Sequence, residues 1–254
     1  SYNKDSYIEK CIQSCLSQTS QDFAIILLDN NSTDETDQIL KKYEKKIIIK
    51  KEKKVSDYSA VNQIDLLKKA FSISSGEIIC LLDADDYFEN NKLENIDNIF
   101  SQDNNIKVAF DKPQILINNT LNNFKIKKKF SAYIWPTIFP TISISIKRSF
   151  LKFFFENKSL YNYPTLEIDF RITVLSQMIF KNSFIFNGNL TVYRNVADGI
   201  MSDIKKFSKK WWIKRLDAHY FVNDIYLQNK MPYKKNYDFY LTKTIIYLLN
   251  IKIK

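Results

Sequence analysis

Residues 76–88 read Gly76-Glu77-Ile78-Ile79-Cys80-Leu81-Leu82-Asp83-Ala84-Asp85-Asp86-Tyr87-Phe88. An apolar run from Ile78 to Leu82 delivers three carboxylates, Asp83, Asp85 and Asp86, at its end. Such a run ahead of polar residues predicts a buried parallel strand. Ligands of open α/β sheets bind beyond the carboxyl ends of their strands. Carboxylates gathered there repel one another unless a cation is shared. Mg²⁺ or Mn²⁺ suits an all-oxygen donor set and typically holds substrate phosphates as well. A strand followed by an acidic, helix-capping turn explains the same residues without a metal, so the surroundings have to decide.

Outward from this stretch the pattern alternates. Tyr7 to Gln18 predicts an amphipathic helix, Phe23 to Leu28 a buried strand, and Asn30 to Asp34 a turn and N-cap for a helix over Glu35 to Tyr43. Lys46 to Lys51 predicts a strand, Val61 to Ser72 a helix, Lys92 to Phe100 a helix and Val108 to Phe110 a strand. This βαβα order implies a mostly parallel, Rossmann-like sheet with helices on both faces. Such a fold wants a strand just before the first helix, so one is expected upstream of Ser1. Beyond Ile115 the pattern loosens. Ile142 to Ile146 alternates with Ser as a half-buried strand would, Glu167 to Phe180 predicts a helix, and Ser183 to Tyr193 a strand or hairpin. Residues 103–105 and 118–124 predict loops. From about Ser202 the chain is basic and aromatic, with Phe207, Trp211, Trp212, Leu216 and Tyr220 at helical spacing, the pattern of a helix docked by one face.

Composition narrows the class. A chain of 254 residues, 45% hydrophobic, can build one large α/β domain with an appendage. Three Cys, an odd number, argue against a disulfide framework. Cys11 and Cys15 share a helix face, but with a single His in the chain they read as buried thiols rather than a zinc pair. The net charge of +10 admits nucleic acid, anionic lipid or phosphorylated substrates. The lysines are scattered rather than striped among stacking aromatics, which speaks against a nucleic-acid binder. With only three Gly, turns must use Asn, Asp and Ser. No apolar run is long enough for a membrane span, and no signal peptide is visible.

Four segments, in order, resemble family 2 glycosyltransferases of the GT-A fold. Ser1-Tyr2-Asn3-Lys4 with Cys15-Leu16-Ser17-Gln18-Thr19 is similar to the opening helix, and Phe23 to Asp34 to the strand and nucleotide-binding turn. Residues 75–86 are similar to the Asp-x-Asp segment, and Pro140-Thr141, Ser145 and Lys147 to Leu151 to the acceptor-side strand and helix. The resemblance spans most of residues 1–200. It implies a GT-A domain over 1–200, with a nucleotide-sugar half over about 1–110 and an acceptor half over about 111–200. Residues 201–254 would form a helical extension.

The resemblance also implies roles. Asp85 would bind the metal, Mn²⁺ or Mg²⁺, and Asp83 the ribose or the metal. Asp29 and Asn30 would meet the nucleotide base, and Arg194 of Tyr193-Arg194 the diphosphate; Asp86 would cap the next helix or touch donor hydroxyls. The acid expected to take the acceptor proton is Asp169, with Glu167 as the alternate. Either also suits a helix dipole as a first-turn acid. The family's His after Tyr-Arg is replaced by Asn195-Val196, and the lone His219 is either its substitute or an ordinary helix-face residue. The function implied is metal-dependent, inverting sugar transfer from a nucleotide-diphosphate donor, UDP-sugar favoured. The acceptor would be a glycan or lipid-linked hydroxyl in capsule or lipooligosaccharide synthesis. The chain would work in the cytoplasm, with peripheral contact between its basic tail and the inner face of the membrane as an option. Two other readings stay open: a sugar nucleotidyltransferase, which would want a Gly-rich basic loop after its first strand, and a catalytically inactive binding module of the same fold.

Overall fold

A computed structural model describes residues 1–126, 135–196 and 204–250 of the chain. The first part alternates as its periodicity requires: α1 (Asp5–Leu16), β1 (Ile26–Asp29), α2 (Thr36–Lys41), β2 (Ile48–Lys51), α3 (Ser59–Ile73), β3 (Ile78–Cys80), β4 (Tyr87–Phe88), α4 (Lys92–Gln102) and β5 (Val108–Asp111). Then follow β6 (Gln114–Ile117), β7 (Thr120–Asn123), β8 (Ile144–Lys147), α5 (Arg148–Phe155), α6 (Ile168–Thr173), β9 (Ser183–Phe186), β10 (Thr191–Arg194), α7 (Lys209–Gln228) and α8 (Tyr237–Leu248). The α/β class and the helical C-terminal region match the expectation.

The strand pairing corrects the expected mostly parallel sheet to a mixed one. β1 and β2 pair in parallel, and two four-stranded sheets run β3-β8-β5-β9 and β4-β10-β6-β7. β3 pairs antiparallel with β8, as does β5, while β5–β9 and β10–β6 are parallel. The apolar run at 78–82 carries no strand direction, and the strand it predicts is not fully buried: β3 stands at the end of its four-stranded sheet with Ile78, Ile79 and Cys80 part-buried.

β8 also corrects the half-buried expectation. Ile144, Ser145 and Ile146 are all fully buried. The isoleucines join Val108, Phe110, Phe150, Ile168 and Phe221 in the main core. Ser145 faces the other side, with Cys80 Sγ 3.4 Å away, where Ile78, Cys80 and Ala109 pack against α4 through Ile96, Ile99 and Phe100. The alternation marks two packed faces of different depth, not one core and one solvent face.

Residues 183–193 form no hairpin: β9 adds to β5 and β10 to β6 and β4, in different sheets. Residues 118–124, expected as a loop, include β7, which turns back on β6 through Asn118 and Asn119 at φ 47° and 62°. Asn3 and Asn31 are also left-handed, as a glycine-poor chain requires. The helix expected over 167–180 is α6 followed by a π-helical turn, Val174–Ile179.

The C-terminal helices share the domain's core. Ala218, Phe221, Val222 and Ile225 of α7 belong to the main cluster, and α8 packs on α7 through Phe239 and Ile246 with Trp212 and Leu216. The segment around the expected boundary, 197–203, lies outside the described residues. No helix among the described residues is long and apolar enough to cross a membrane.

Candidate active site

The ends of β1 and β3, the start of α6 and the residues before α1 meet at an open cleft of about 1380 Å³. A site for one drug-sized ligand is roughly 300–1,000 Å³, so this one has room for two substrates. Its walls include Asn30, Asp83, Asp85, Glu167, Asp169 and Tyr193. Residues from sequence positions more than a hundred apart thus share one cavity.

The β1 end is built by the Asn-Ser-Thr-Asp turn. Ser32 donates to Asp29 through both its N–H (2.8 Å) and its hydroxyl (2.6 Å). Asp29 is 1% exposed and sits beneath the cleft wall, while Asn30 lines it. The same turn grips the opening segment: Asn3 N–H donates to Ser32 Oγ, Thr33 N–H to Asn3 Oδ1, and Lys4 N–H to Thr36 Oγ1. Asp34 accepts from the backbone of Asp5 and of Thr36, serving the first turns of α1 and α2 together. Ser1 lies in parallel register beside β1, its nitrogen 2.8 Å from Leu28 O and its oxygen accepting from Asn30 N–H.

The β3 end carries three acids in three environments. Asp85 is partly exposed and ion-paired with Lys4, Nζ to Oδ2 3.1 Å. Asp83 accepts from Gln63 Nε2 at 3.2 Å, and burial with Asp85 beside it pushes its carboxyl up to about 6. Asp86 is fully buried. Its Oδ1 accepts from Arg194 N–H at 2.6 Å, and burial, then Asp83 and Asp85, push it up to about 9. Asp86 caps no helix: Asn91 stands at the start of α4. Arg194 is absent from the cleft walls. Its Nη1 donates to the Asp85 carbonyl at 2.7 Å, and its guanidinium lies over the rings of Tyr87 (4.9 Å) and Tyr7 (5.3 Å). It braces the turn that presents Asp85.

A divalent cation needs hard oxygen donors. Among the described residues no three His, Cys, Asp or Glu side chains converge as a closed cage. Asp83 and Asp85 at the cleft are two carboxylates, a donor set that fits Mg²⁺ or Mn²⁺ when phosphate and water complete the shell.

Glu167 and Asp169, also at the cleft, flank the start of α6. Glu167 has both carboxylate oxygens on Lys214 Nζ, from α7. Asp169 accepts the N–H of Phe170 at 2.6 Å. Burial first, then the charge of Glu167, push its carboxyl up to about 7. A carboxylate with a pKa near neutrality that faces a cleft suits general base work; Glu167 is engaged elsewhere. His219 lies away from the cleft, buried between α7 and α8, with Nε2 2.7 Å from Asp238 Oδ2 and its ring 4.8 Å from that of Trp135.

Sequence reasoning missed three residues of this site. Lys4 and Lys214 carry no local signal among 38 Lys and Arg. Asn62 has a weak one, an Asn in the first turn of α3: its side chain ties down Val55 and Ser56, which line the cleft.

Residues 1–181 match the family model described as glycosyl transferase family 2. An uncharacterized glycosyltransferase of Haemophilus influenzae is 34% identical over 96 residues, which cover 37% of this chain and 36% of that protein. The chain spans between 20% and 38% of the length of three curated relatives that it matches. The structure of S. aureus TarS 1-349 in complex with UDP-GlcNAc aligns with TM-score 0.62 at 14% identity, covering 100% of this chain and 74% of that one. A mannosyltransferase of Pyrobaculum calidifontis, in complex with GDP-Man and Mn²⁺, aligns with TM-score 0.55 at 14% identity, covering 98% and 68%. The fold is that of these GT-A glycosyltransferases.

Proposed function

The chain belongs to glycosyl transferase family 2, and on that premise we propose that its cleft performs inverting sugar transfer from a nucleotide-diphosphate donor to an acceptor hydroxyl. The carrying observation is the meeting in one cavity of Asp83 and Asp85 with Asp169, a carboxylate near neutrality. Inversion needs a base on the face opposite the leaving group, within about 3 Å of the acceptor oxygen. Asp169 supplies that base, and Glu167, tied to Lys214, does not. Asp83 and Asp85 would hold Mn²⁺ or Mg²⁺, which would supply charge neutralisation for the diphosphate. Asn30 and the residues around Asp29 receive the nucleotide. Arg194 braces the Asp85 turn and is the guanidinium proposed for the diphosphate.

We favour a UDP-sugar donor and a glycan or lipid-linked acceptor, in surface-glycan assembly of the capsule or lipooligosaccharide kind. Exposed Tyr240, Leu241, Tyr247 and Leu248 on α8 support work at the inner face of the cell membrane. The test is calorimetric titration with UDP and GDP, each with and without Mn²⁺, followed by nucleotide release from matching donor sugars. Metal-dependent binding of one nucleotide supports the reading. No binding of any nucleoside diphosphate under any metal sinks it and leaves a non-catalytic binding module as the better account.

A further inference from the structure

One side of α7 is joined to the segment that carries the candidate base. Lys214 grips Glu167. Asp217 Oδ2 accepts from Thr165 Oγ1 at 2.6 Å. Asp224 Oδ2 accepts from Tyr163 Oη at 2.5 Å and from Ser159 Oγ at 3.2 Å, and Gln228 Nε2 donates to Ser159 Oγ at 2.7 Å. Positions 214, 217, 224 and 228 recur at helical spacing, so the contacts form a row along α7. Beside that row Phe221 packs edge-on to Tyr163 and near Phe170, and Arg171 lies over its ring. The row ends at the cleft, at Glu167.

We propose that α7 is a positioning element of the acceptor site, and that Lys214, by occupying both oxygens of Glu167, leaves Asp169 as the acid that meets the acceptor. This rests on the reading of Asp169 as base. Two carboxylates two residues apart at one helix start, without a cation, share protons and titrate as a pair. A lysine on both oxygens of Glu167 occupies that carboxylate, and its charge also draws Asp169 down. The other charged groups that act on Asp169 are Asp83 from the β3 end, which raises it, and Lys214 itself, which lowers it; Tyr193 of β10 is the neighbouring phenol. Arg171 points elsewhere, donating to the carbonyls of Leu166 and Tyr163.

Carbon-13 carboxyl NMR of the purified chain reads this without a substrate. In the native protein Asp169 should titrate near neutrality. In Lys214→Met, which removes the lysine charge, Asp169 should titrate higher by about one pH unit or more, and Lys214→Arg should restore its native value. In Glu167→Gln/Lys214→Met, which leaves no unpaired charge and so serves if Lys214→Met does not fold, Asp169 should titrate once, below its native value, because Glu167 outweighs Lys214. Unmoved titrations in Lys214→Met with α7 still folded, or an unmoved Asp169 in the double variant, overturn the proposal. Failure of nucleotide binding would sink the transferase reading and leave these titrations as they are, so the two can be told apart.

Discussion

Lys4 Nζ lies 3.1 Å from Asp85 Oδ2, with the two side chains 13% and 16% exposed. An internal cation therefore stands on the candidate metal carboxylate, held by a segment whose backbone is anchored to the β1 turn. A divalent ion entering the cleft has to share Asp85 with Lys4 or displace it. Asp85→Asn should remove the metal-dependent part of UDP or GDP binding. Lys4→Met should tighten Mn²⁺ alone by several-fold, a modest change because partly exposed pairs contribute little, about 0–1 kcal/mol. Calorimetry with Mn²⁺ and nucleotide checks both, and native metal dependence in Asp85→Asn would remove the metal assignment.

Asp169→Asn should lower transfer by roughly 10²–10⁴-fold, the usual worth of a positioned base, with donor affinity unchanged. The native rate should rise with pH through about 7, where Asp169 loses its proton. A pH–rate profile and a parallel binding titration separate the two effects. Equal losses of binding and rate would mean that Asp169 belongs to the donor pocket instead.

Asp86 makes stability depend on pH in an unusual direction. Its folded carboxyl is raised to about 9 from 3.8, so between those values the folded state holds a proton that the unfolded chain releases. Stability then falls as pH rises through that window. Asp86→Asn keeps an acceptor for the Arg194 N–H and removes the titration. Its melting temperature should fall less than that of the native chain between pH 7 and 9, a difference on the order of 1 kcal/mol. Parallel melting curves would refute the assignment.

Lys92 and Asp111 form an ion pair with no exposure on either side chain, and Thr191 Oγ1 donates to the second Asp111 oxygen at 2.7 Å. Lys92→Met strands Asp111 as a buried charge and should cost about 3–5 kcal/mol. Lys92→Met/Asp111→Leu should recover part of that, leaving Thr191 unsatisfied. Urea unfolding measures both; a double variant no better than the single one would show that packing, not charge, sets the loss.

Much of this was legible in the residues. Helices α1 to α4 and strands β1 to β3 fall within a few residues of their predicted spans, because apolar periodicity is a local property of the chain. The two acidic turns, Asp29-Asn30 and Asp83-Ala84-Asp85, stand at strand ends as read. Asp169 is the acid that the resemblance points to, with Glu167 as its alternate. The direction of β3, the two buried faces of β8 and the separation of β9 from β10 were not legible, since each depends on which distant strand arrives alongside.

The sequence by itself determined which segments could bury a face and where carboxylates would end a strand, because both follow from neighbours along the chain. Only the tertiary structure decided what each carboxylate faces. Asp85 meets Lys4, Asp86 meets the Arg194 backbone, and Glu167 meets Lys214, 47 residues away. An acid's charge and proton affinity are set by what desolvates it and what cation faces it, and those neighbours are chosen by packing, not by sequence distance.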